Sequence, residues 1–232
     1  MKFKTIFALF NAVLAFSFIF IFLMPFLLLG TAYSLDFWKT NWPLGLFFLA
    51  VLAAFNVFFL SNWRTFSLVE KEDWRGLMLW LQSSQFAKGR YQRRSVRMYV
   101  NAALLCADQQ AIALLEQELS ERKPKALERD ALLFSVARSL GEDTAAALAF
   151  MDRYADSRAV DNADWLAFYR AFGLVRANRA QESAGIVRRL LESNDAVLRL
   201  LSAYLAVHSC APAMAPSDRA NLLALANAVR VR

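Results

Sequence analysis

The chain has very few of the residues on which metal and redox sites depend. Its 232 residues include one histidine and two cysteines, Cys106 and Cys210, which are far apart in the sequence. A closed zinc site needs four ligands at characteristic spacing, so the sequence predicts no metal site. Two distant cysteines also exclude a disulfide-stapled secreted module and agree with a reducing compartment.

Glycine is scarce as well, and its placement excludes the common phosphate-binding loops. No two of the seven glycines are closer than 12 residues, and none precedes Lys-Ser or Lys-Thr. The GxSxG and HExxH motifs are absent. Paired carboxylates such as Glu142-Asp143 stand where helices are expected to begin, and there they cap free amides. We therefore expect no catalytic residue, no cofactor and no enzymatic activity.

Charge is missing from two long apolar stretches near the start of the chain. No charged residue lies between Thr5 and Leu35, or between Thr40 and Trp63, and 15 of the 20 phenylalanines precede Ser67. About 20 apolar residues in a helix span a bilayer core of about 30 Å. The sequence predicts two transmembrane helices, at residues 5–29 and 43–60.

The distribution of Lys and Arg predicts the orientation of these spans. Lys2 and Lys4 precede the first span, and eight further basic residues lie between Arg64 and Arg97. The positive-inside rule then predicts a two-pass protein with both termini in the cytoplasm. The alternative is a signal peptide cleaved near Gly30, although the apolar run is longer than such peptides usually have.

The net charge of +7 is concentrated next to the membrane, since residues 105–232 have equal numbers of acidic and basic side chains. Five basic residues there form a cluster that the helical spacing of its arginines predicts to lie on one face: Lys88, Arg90, Arg93, Arg94 and Arg97. Such a face binds anionic lipid or an acidic protein partner. Alternatively, these residues only fix the topology. Nucleic-acid binding is disfavoured because the remaining chain offers no further excess charge.

Each span carries one asparagine, Asn11 in the first and Asn56 in the second. In an antiparallel hairpin these residues lie at a similar depth. An amide in hydrocarbon needs a hydrogen-bond partner. We expect Asn11 and Asn56 to pair with each other or with a second copy; the alternative is that each bonds its own backbone.

After Trp63 the apolar residues follow a helical period almost to the end of the chain. Breaks near residues 108, 124, 142, 158, 179, 195 and 213 predict about nine helices of roughly 12–18 residues joined by short turns. The turns at Asp108, Glu142 and Arg179 are 34 and 37 residues apart. Small residues open the helix after each of these turns, at Ala111, Ala146 and Ala184.

This interval resembles the helix-turn-helix unit of the tetratricopeptide-like superfamily. The order of a two-span hairpin, a basic segment and helical repeats resembles the HemY-type membrane-bound proteins of bacteria. The resemblance implies an all-α fold in which a transmembrane hairpin (residues 1–63) and a basic juxtamembrane segment (64–97) precede a cytoplasmic α-solenoid of repeats (98–232). A non-repetitive helical domain is the alternative.

Stacked helix pairs offer a concave surface for protein partners. The sequence therefore predicts a scaffold at the bacterial inner membrane that recruits or assembles other proteins, with membrane lipids as further partners. Five side chains on the first helices of the pairs are candidates for partner binding: Tyr99, Arg138, Tyr169, Arg176 and Tyr204. The alternative is a regulatory or structural subunit of a transport, secretion or flagellar-type envelope complex. A homo-oligomer is compatible with both.

Overall fold

A computed structural model describes the backbone of residues 3–229 and the side chains of residues 5–229. The side chains of Lys2 and Lys4, which contribute to the predicted orientation, lie outside the described residues. Throughout the described range the ordered elements are helices, and there is no strand. The chain divides into two compact units, Met1–Leu77 and Met78–Arg232.

The first unit contains two long apolar helices. Helix α1 covers Phe3–Leu29 and helix α2 covers Thr31–Glu70. Gly30 alone separates them and has a φ of 81°, in the left-handed region that glycine adopts without a steric cost. Both helices are long and apolar enough to span a membrane. The predicted second span is thus the middle of a helix that begins earlier and ends later.

The start of α2 bends at Asn41, whose backbone is not helical (φ −107°, ψ 17°). Pro43 follows two residues later; it cannot donate a backbone hydrogen bond and its ring crowds the preceding turn. The amide of Asn41 donates to the carbonyl of Phe37 at 2.9 Å. A bend therefore separates the short first part of α2 from its apolar middle.

The two long helices pack through residues that recur at intervals of three and four. The half-buried side chains along this seam are Phe7, Asn11, Leu14 and Phe18 on α1, and Phe48, Leu52, Asn56 and Phe59 on α2. Aromatic pairs fix the antiparallel register, with ring centroids 5.2 Å apart for Phe7 and Phe59 and 6.4 Å for Phe18 and Phe48. Seam positions at this spacing keep two helices in continuous contact.

Shorter helices make up the rest of the described chain, and the division between the two units falls within the first of them. Their bounds are α3 Trp74–Ser84, α4 Arg93–Leu105, α5 Gln109–Arg122, α6 Pro124–Arg129, α7 Ala131–Ser139, α8 Thr144–Tyr154, α9 Ala163–Arg176, α10 Ala180–Leu190, α11 Ala196–Leu205 and α12 Pro216–Ala228. Short 3₁₀ turns occupy Phe86–Lys88 and Ala211–Ala213, and a π-helical turn, Ala206–Cys210, continues α11.

Aspartates begin three of these helices by capping free backbone amides. The carboxylate of Asp108 accepts from the Ala111 amide at 2.9 Å, and that of Asp143 accepts from the Ala146 amide at 2.8 Å. Asp195 accepts from Val197 in the same way at 2.9 Å. Because the carboxylate replaces an intrahelical partner, the helix can begin directly after a short turn.

The expected helix lengths are wrong: the helices after α2 have between 6 and 14 residues. Asp130, which is not helical (φ −93°, ψ 17°), separates α6 from α7 at a position without a sequence signal. Neighbours along the chain pack against each other, as in the pairs α7–α8 and α9–α10. The all-helical class is therefore confirmed, whereas α6 and the π-helical turn interrupt any regular two-helix repeat.

The core of the last four helices is built from small and branched apolar residues. Ala171 on α9 and Ala184 on α10 are almost fully buried, and they join Val187, Leu205 and Leu222 in one cluster. Small side chains allow α9 and α10 to approach closely. Because Leu205 packs into this core, one side of α11 is buried and the opposite side of the helix faces outward.

Candidate interaction surfaces

The predicted basic cluster does not lie on one helical face. Lys88 ends the 3₁₀ turn and Arg90 lies in the following loop, because α4 begins only at Arg93. Within α4, Arg93 and Arg97 share one side of the helix, while Arg94 lies on another. All five side chains belong to exposed residues. The expectation of a continuous arginine face is therefore corrected by the position where the helix begins.

Arg93 and Arg97 are directed towards two aspartates rather than freely into solvent. The Nε atoms of both arginines lie 3.7 Å from Oδ1 of Asp130. Arg93 also donates to the carboxylate of Asp161, and Arg97 lies 3.6 Å from it. These ion pairs connect α4 to the start of α7 and to the loop before α9.

Asp130 is the buried centre of this cluster, and its side chain is fully shielded from solvent. Arg129 donates to its Oδ2 at 2.7 Å. A buried carboxylate is strongly destabilising unless cations and hydrogen bonds compensate for its lost hydration. Arg93 and Arg97 therefore have a structural role, whereas the side chains of Lys88, Arg90 and Arg94 are exposed.

Tyr99 is not available to a partner, which corrects its assignment as a candidate surface residue. Its residue is 6% exposed, and its ring meets the edge of Phe86 at a centroid distance of 5.4 Å. Burial raises the pKa of the Tyr99 hydroxyl, and the charges of Asp108 and Glu118 raise it further. The position belongs to the core between α4 and the preceding turn.

The two candidate arginines also have partners within the domain. The guanidinium of Arg138 donates two hydrogen bonds of 2.8 Å to Glu116 and lies 5.1 Å from the ring centre of Phe150. The bond to Glu116 is the main reason why the pKa of Arg138 is raised. Arg176 donates to the backbone carbonyls of Ser139 and Gly141. Both side chains connect neighbouring helices.

Tyr169 and Tyr204 differ in their surroundings. Tyr169 is half-buried beside the ring of Phe168, with centroids 5.9 Å apart. Tyr204 is 65% exposed on the outward side of α11. Its ring packs on His208 at a centroid distance of 4.4 Å. Among the five candidates, Tyr204 is the one that the structure places on an open apolar surface.

That surface, which we call the α11 face, is apolar along the whole outward side of the helix. Its exposed members are Val197, Leu200, Leu201, Tyr204, Val207 and His208. The opposite side of the same helix packs into the core through Leu198, Leu205 and Ala206. Between α11 and α12 the face continues into a groove of about 490 Å³ that Ala226 and Asn227 help to line. A helix that is apolar on both sides thus leaves one side uncovered.

The sequence singled out Tyr204 but no other member of this face, and it indicated neither Asp130 nor Asp161 as a partner of Arg93 and Arg97. Residues 196–213 are apolar enough in length and composition to span a membrane, and 39% of that stretch is buried. This apolarity all around the helix was a signal that could have indicated a second contact surface. Nothing in the local sequence could have indicated the partners of Arg93 and Arg97.

The described residues contain no group of three or more metal-ligating side chains. The thiol of Cys210 is buried and lies 3.6 Å from the hydroxyl of Ser183. Burial raises the pKa of this thiol, although the contact with Ser183 partly lowers it. A buried thiol with a raised pKa is a weak nucleophile. The geometry around Cys210 is therefore that of a core residue.

Comparison with known proteins gives one similar protein and one matching family. An uncharacterized protein of Treponema pallidum (strain Nichols) is 28% identical over 247 aligned residues, which cover all of this chain and 75% of the relative. No solved structure matches the chain. The matching family gives no evidence for a tetratricopeptide or HemY-type relationship, so what is supported of that resemblance is the helical content and the two apolar N-terminal helices. Because residues 111–231 match its family model, the chain belongs to the family described as "Uncharacterised Treponema protein".

Proposed function

We propose that this protein is a membrane-anchored cytoplasmic scaffold that recruits protein partners at the bacterial inner membrane. Helices α1 and α2 anchor it, with both termini in the cytoplasm as the excess of basic residues after the second span favours. The helical domain then supplies the binding surface.

The α11 face is the observation that carries the proposal. Contiguous exposed apolar surface is rare on soluble domains and marks contact sites. Leu200 and Tyr204 are 63% and 65% exposed, and the neighbouring groove is open along the helix. An amphipathic helix of a partner fits such a groove with its apolar side. A transmembrane role for α11 is disfavoured because its other side is part of the core.

Site-specific photo-crosslinking in living cells tests this function. A photoreactive residue in place of Tyr204 is expected to capture one protein at defined stoichiometry, and Leu200→Asp is expected to reduce this capture about tenfold or more by removing buried apolar area. Leu140 is the matched control, since it is 68% exposed and lies outside the α11 face. A crosslinker at Leu140 should not capture this protein, and Leu140→Asp should leave capture at Tyr204 unchanged.

The outcomes of this experiment are distinct. Crosslinks from Tyr204 to lipid alone, or equal capture from Leu140, would refute the scaffold function. A fixed complex that survives Leu200→Asp and contains other membrane subunits would favour the alternative of a subunit in an envelope assembly. Capture that depends on Leu200 supports the scaffold.

A further inference from the structure

The amide groups of Asn11 and Asn56 meet between the two long helices, but their hydrogen bonds are not all made. The Nδ2 of Asn56 donates to Oδ1 of Asn11 at 2.9 Å and to the carbonyl of Leu52 at 2.9 Å. The Nδ2 of Asn11 donates to the carbonyl of Phe7 at 3.0 Å. Each amide nitrogen has two hydrogens and each amide oxygen accepts. One N–H of Asn11 and the Oδ1 of Asn56 are therefore left without a partner in the described residues.

These two groups lie within helices that are apolar enough to span a membrane. The hydrocarbon interior contains no water that could complete their hydrogen bonds, so an unmet donor and an unmet acceptor are both unfavourable. One is a donor and the other an acceptor, and they belong to two side chains that are hydrogen-bonded to each other. In a second copy of the same hairpin, related by two-fold symmetry, the Asn56 Oδ1 would face the Asn11 N–H of the first copy. The Asn11 N–H of the second copy would likewise face the Asn56 Oδ1 of the first.

Small side chains line one side of the hairpin next to this pair of asparagines. Ala8, Ala12 and Ala15 are exposed on α1, and Ala53 is exposed on α2. Ala12 follows Asn11 by one position and Ala53 follows Leu52 by one. In an antiparallel pair of helices, the residues that follow the contact positions by one point to the same side on both helices, so Ala12 and Ala53 share one side of the hairpin. Small side chains there permit the close backbone approach that interhelical hydrogen bonds require.

We propose that the transmembrane hairpin forms a symmetric dimer in which Asn11 of each copy donates to the Oδ1 of Asn56 in the other. The four amides then form one closed hydrogen-bonded cluster, with the alanine side of each hairpin at the interface. This inference is independent of the proposed scaffold function, because it concerns the first compact unit alone. A dimeric anchor would present two α11 faces on the same membrane complex.

The test uses the full chain in lipid nanodiscs and membranes. Asn11→Leu removes both symmetric hydrogen bonds and is expected to weaken dimerisation roughly tenfold, measured by energy transfer between labelled copies as lipid is added. Asn62→Leu is the matched control: Asn62 is half-buried on the same helix as Asn56, and its side-chain amide donates to the carbonyl of Phe58. This variant should dimerise like the wild type.

A second measurement does not alter either asparagine. Ala12→Cys is expected to form a disulfide between copies on mild oxidation, whereas Val13→Cys, at the same depth and 55% exposed, should not exceed the background of the unmodified chain. Ala12→Leu, which leaves the amides in place, should reduce dimerisation by blocking close approach. Unchanged dimerisation of Asn11→Leu, or equal crosslinking at positions 12 and 13, would overturn the proposal.

Discussion

The two pairs of arginines near the start of α4 are expected to respond differently to the same loss of charge. In the double variant Arg93→Gln and Arg97→Gln, the buried carboxylate of Asp130 retains only the contact with Arg129. In the control Arg90→Gln and Arg94→Gln, no ion pair of the described residues is lost. Both variants remove two positive charges from the same segment, so net charge and orientation signals are matched.

The magnitude follows from the distances. At 3.7 Å and an effective dielectric constant of about 20, each guanidinium attracts the Asp130 carboxylate by about 4–5 kcal/mol before other costs. The two arginine side chains are 46% and 45% exposed, so solvent screening and side-chain entropy offset much of this. We expect the first pair to lower the free energy of unfolding by about 2–3 kcal/mol. The control should change it by less than about 0.5 kcal/mol.

Thermal unfolding of the full chain in nanodiscs measures this difference. A loss of about 2–3 kcal/mol corresponds to a fall in Tm of roughly 5–10 °C for a domain of this size. Hydrogen exchange should show faster opening of α4 and α7 in the first variant and unchanged exchange in the control. Equal Tm values for the two variants would refute the structural role of Arg93 and Arg97.

Three further predictions concern charge, pH and thiol reactivity. Arg90 and Arg94 are exposed, and the hypothesis that they bind anionic headgroups predicts slower hydrogen exchange in their segment when nanodiscs contain anionic lipid. Replacing both with Gln should abolish this change, and an equal change in the Gln variant would contradict the hypothesis. Backbone hydrogen bonding from Leu198 is the main reason why the pKa of Asp195 lies below its ordinary value of 3.8. The stabilising effect of the Asp195 carboxylate is therefore present above pH 3.8 and disappears as the pH falls through the lowered pKa. The difference in Tm between wild type and Asp195→Asn should shrink over the same pH range. Maleimide should label the half-buried Cys106 in the native protein but Cys210 only after unfolding, and equal rates would contradict the burial of the second thiol.

The two long apolar helices could be predicted from sequence because hydropathy and length are local properties. A helix of about 20 apolar residues is long enough to span a bilayer core. The turns at Asp108 and near Asp143 were also evident, since an aspartate that caps its own helix acts over three residues. The break at Asp130 was not evident, because it depends on contacts distant in the sequence: Arg93 and Arg97 reach the Asp130 carboxylate, and the Asp161 amide donates to the carbonyl of the preceding Arg129.

The candidate binding residues show the same division. Tyr99 and Tyr204 both stand on apolar helices, and sequence alone gave them the same role. Tyr99 is 6% exposed and packs against Phe86, whereas Tyr204 is 65% exposed and packs on His208. The difference arises because neighbouring elements cover the first position and leave the second open. Likewise, four arginines were predicted to share one helical face, but in the structure Arg93 and Arg97 contact the buried carboxylate of Asp130, whereas Arg90 and Arg94 are exposed.

By itself, the sequence determined that this chain is helical, that two long apolar segments are suited to a membrane, and that its excess charge follows them. These are sums over neighbouring residues. Only the tertiary structure decided which arginines are held by aspartates, which amides of the hairpin meet, and which side of α11 is open. Those outcomes depend on pairs of residues far apart in the chain, such as Arg93 with Asp161 and Asn11 with Asn56, and only folding brings such pairs together.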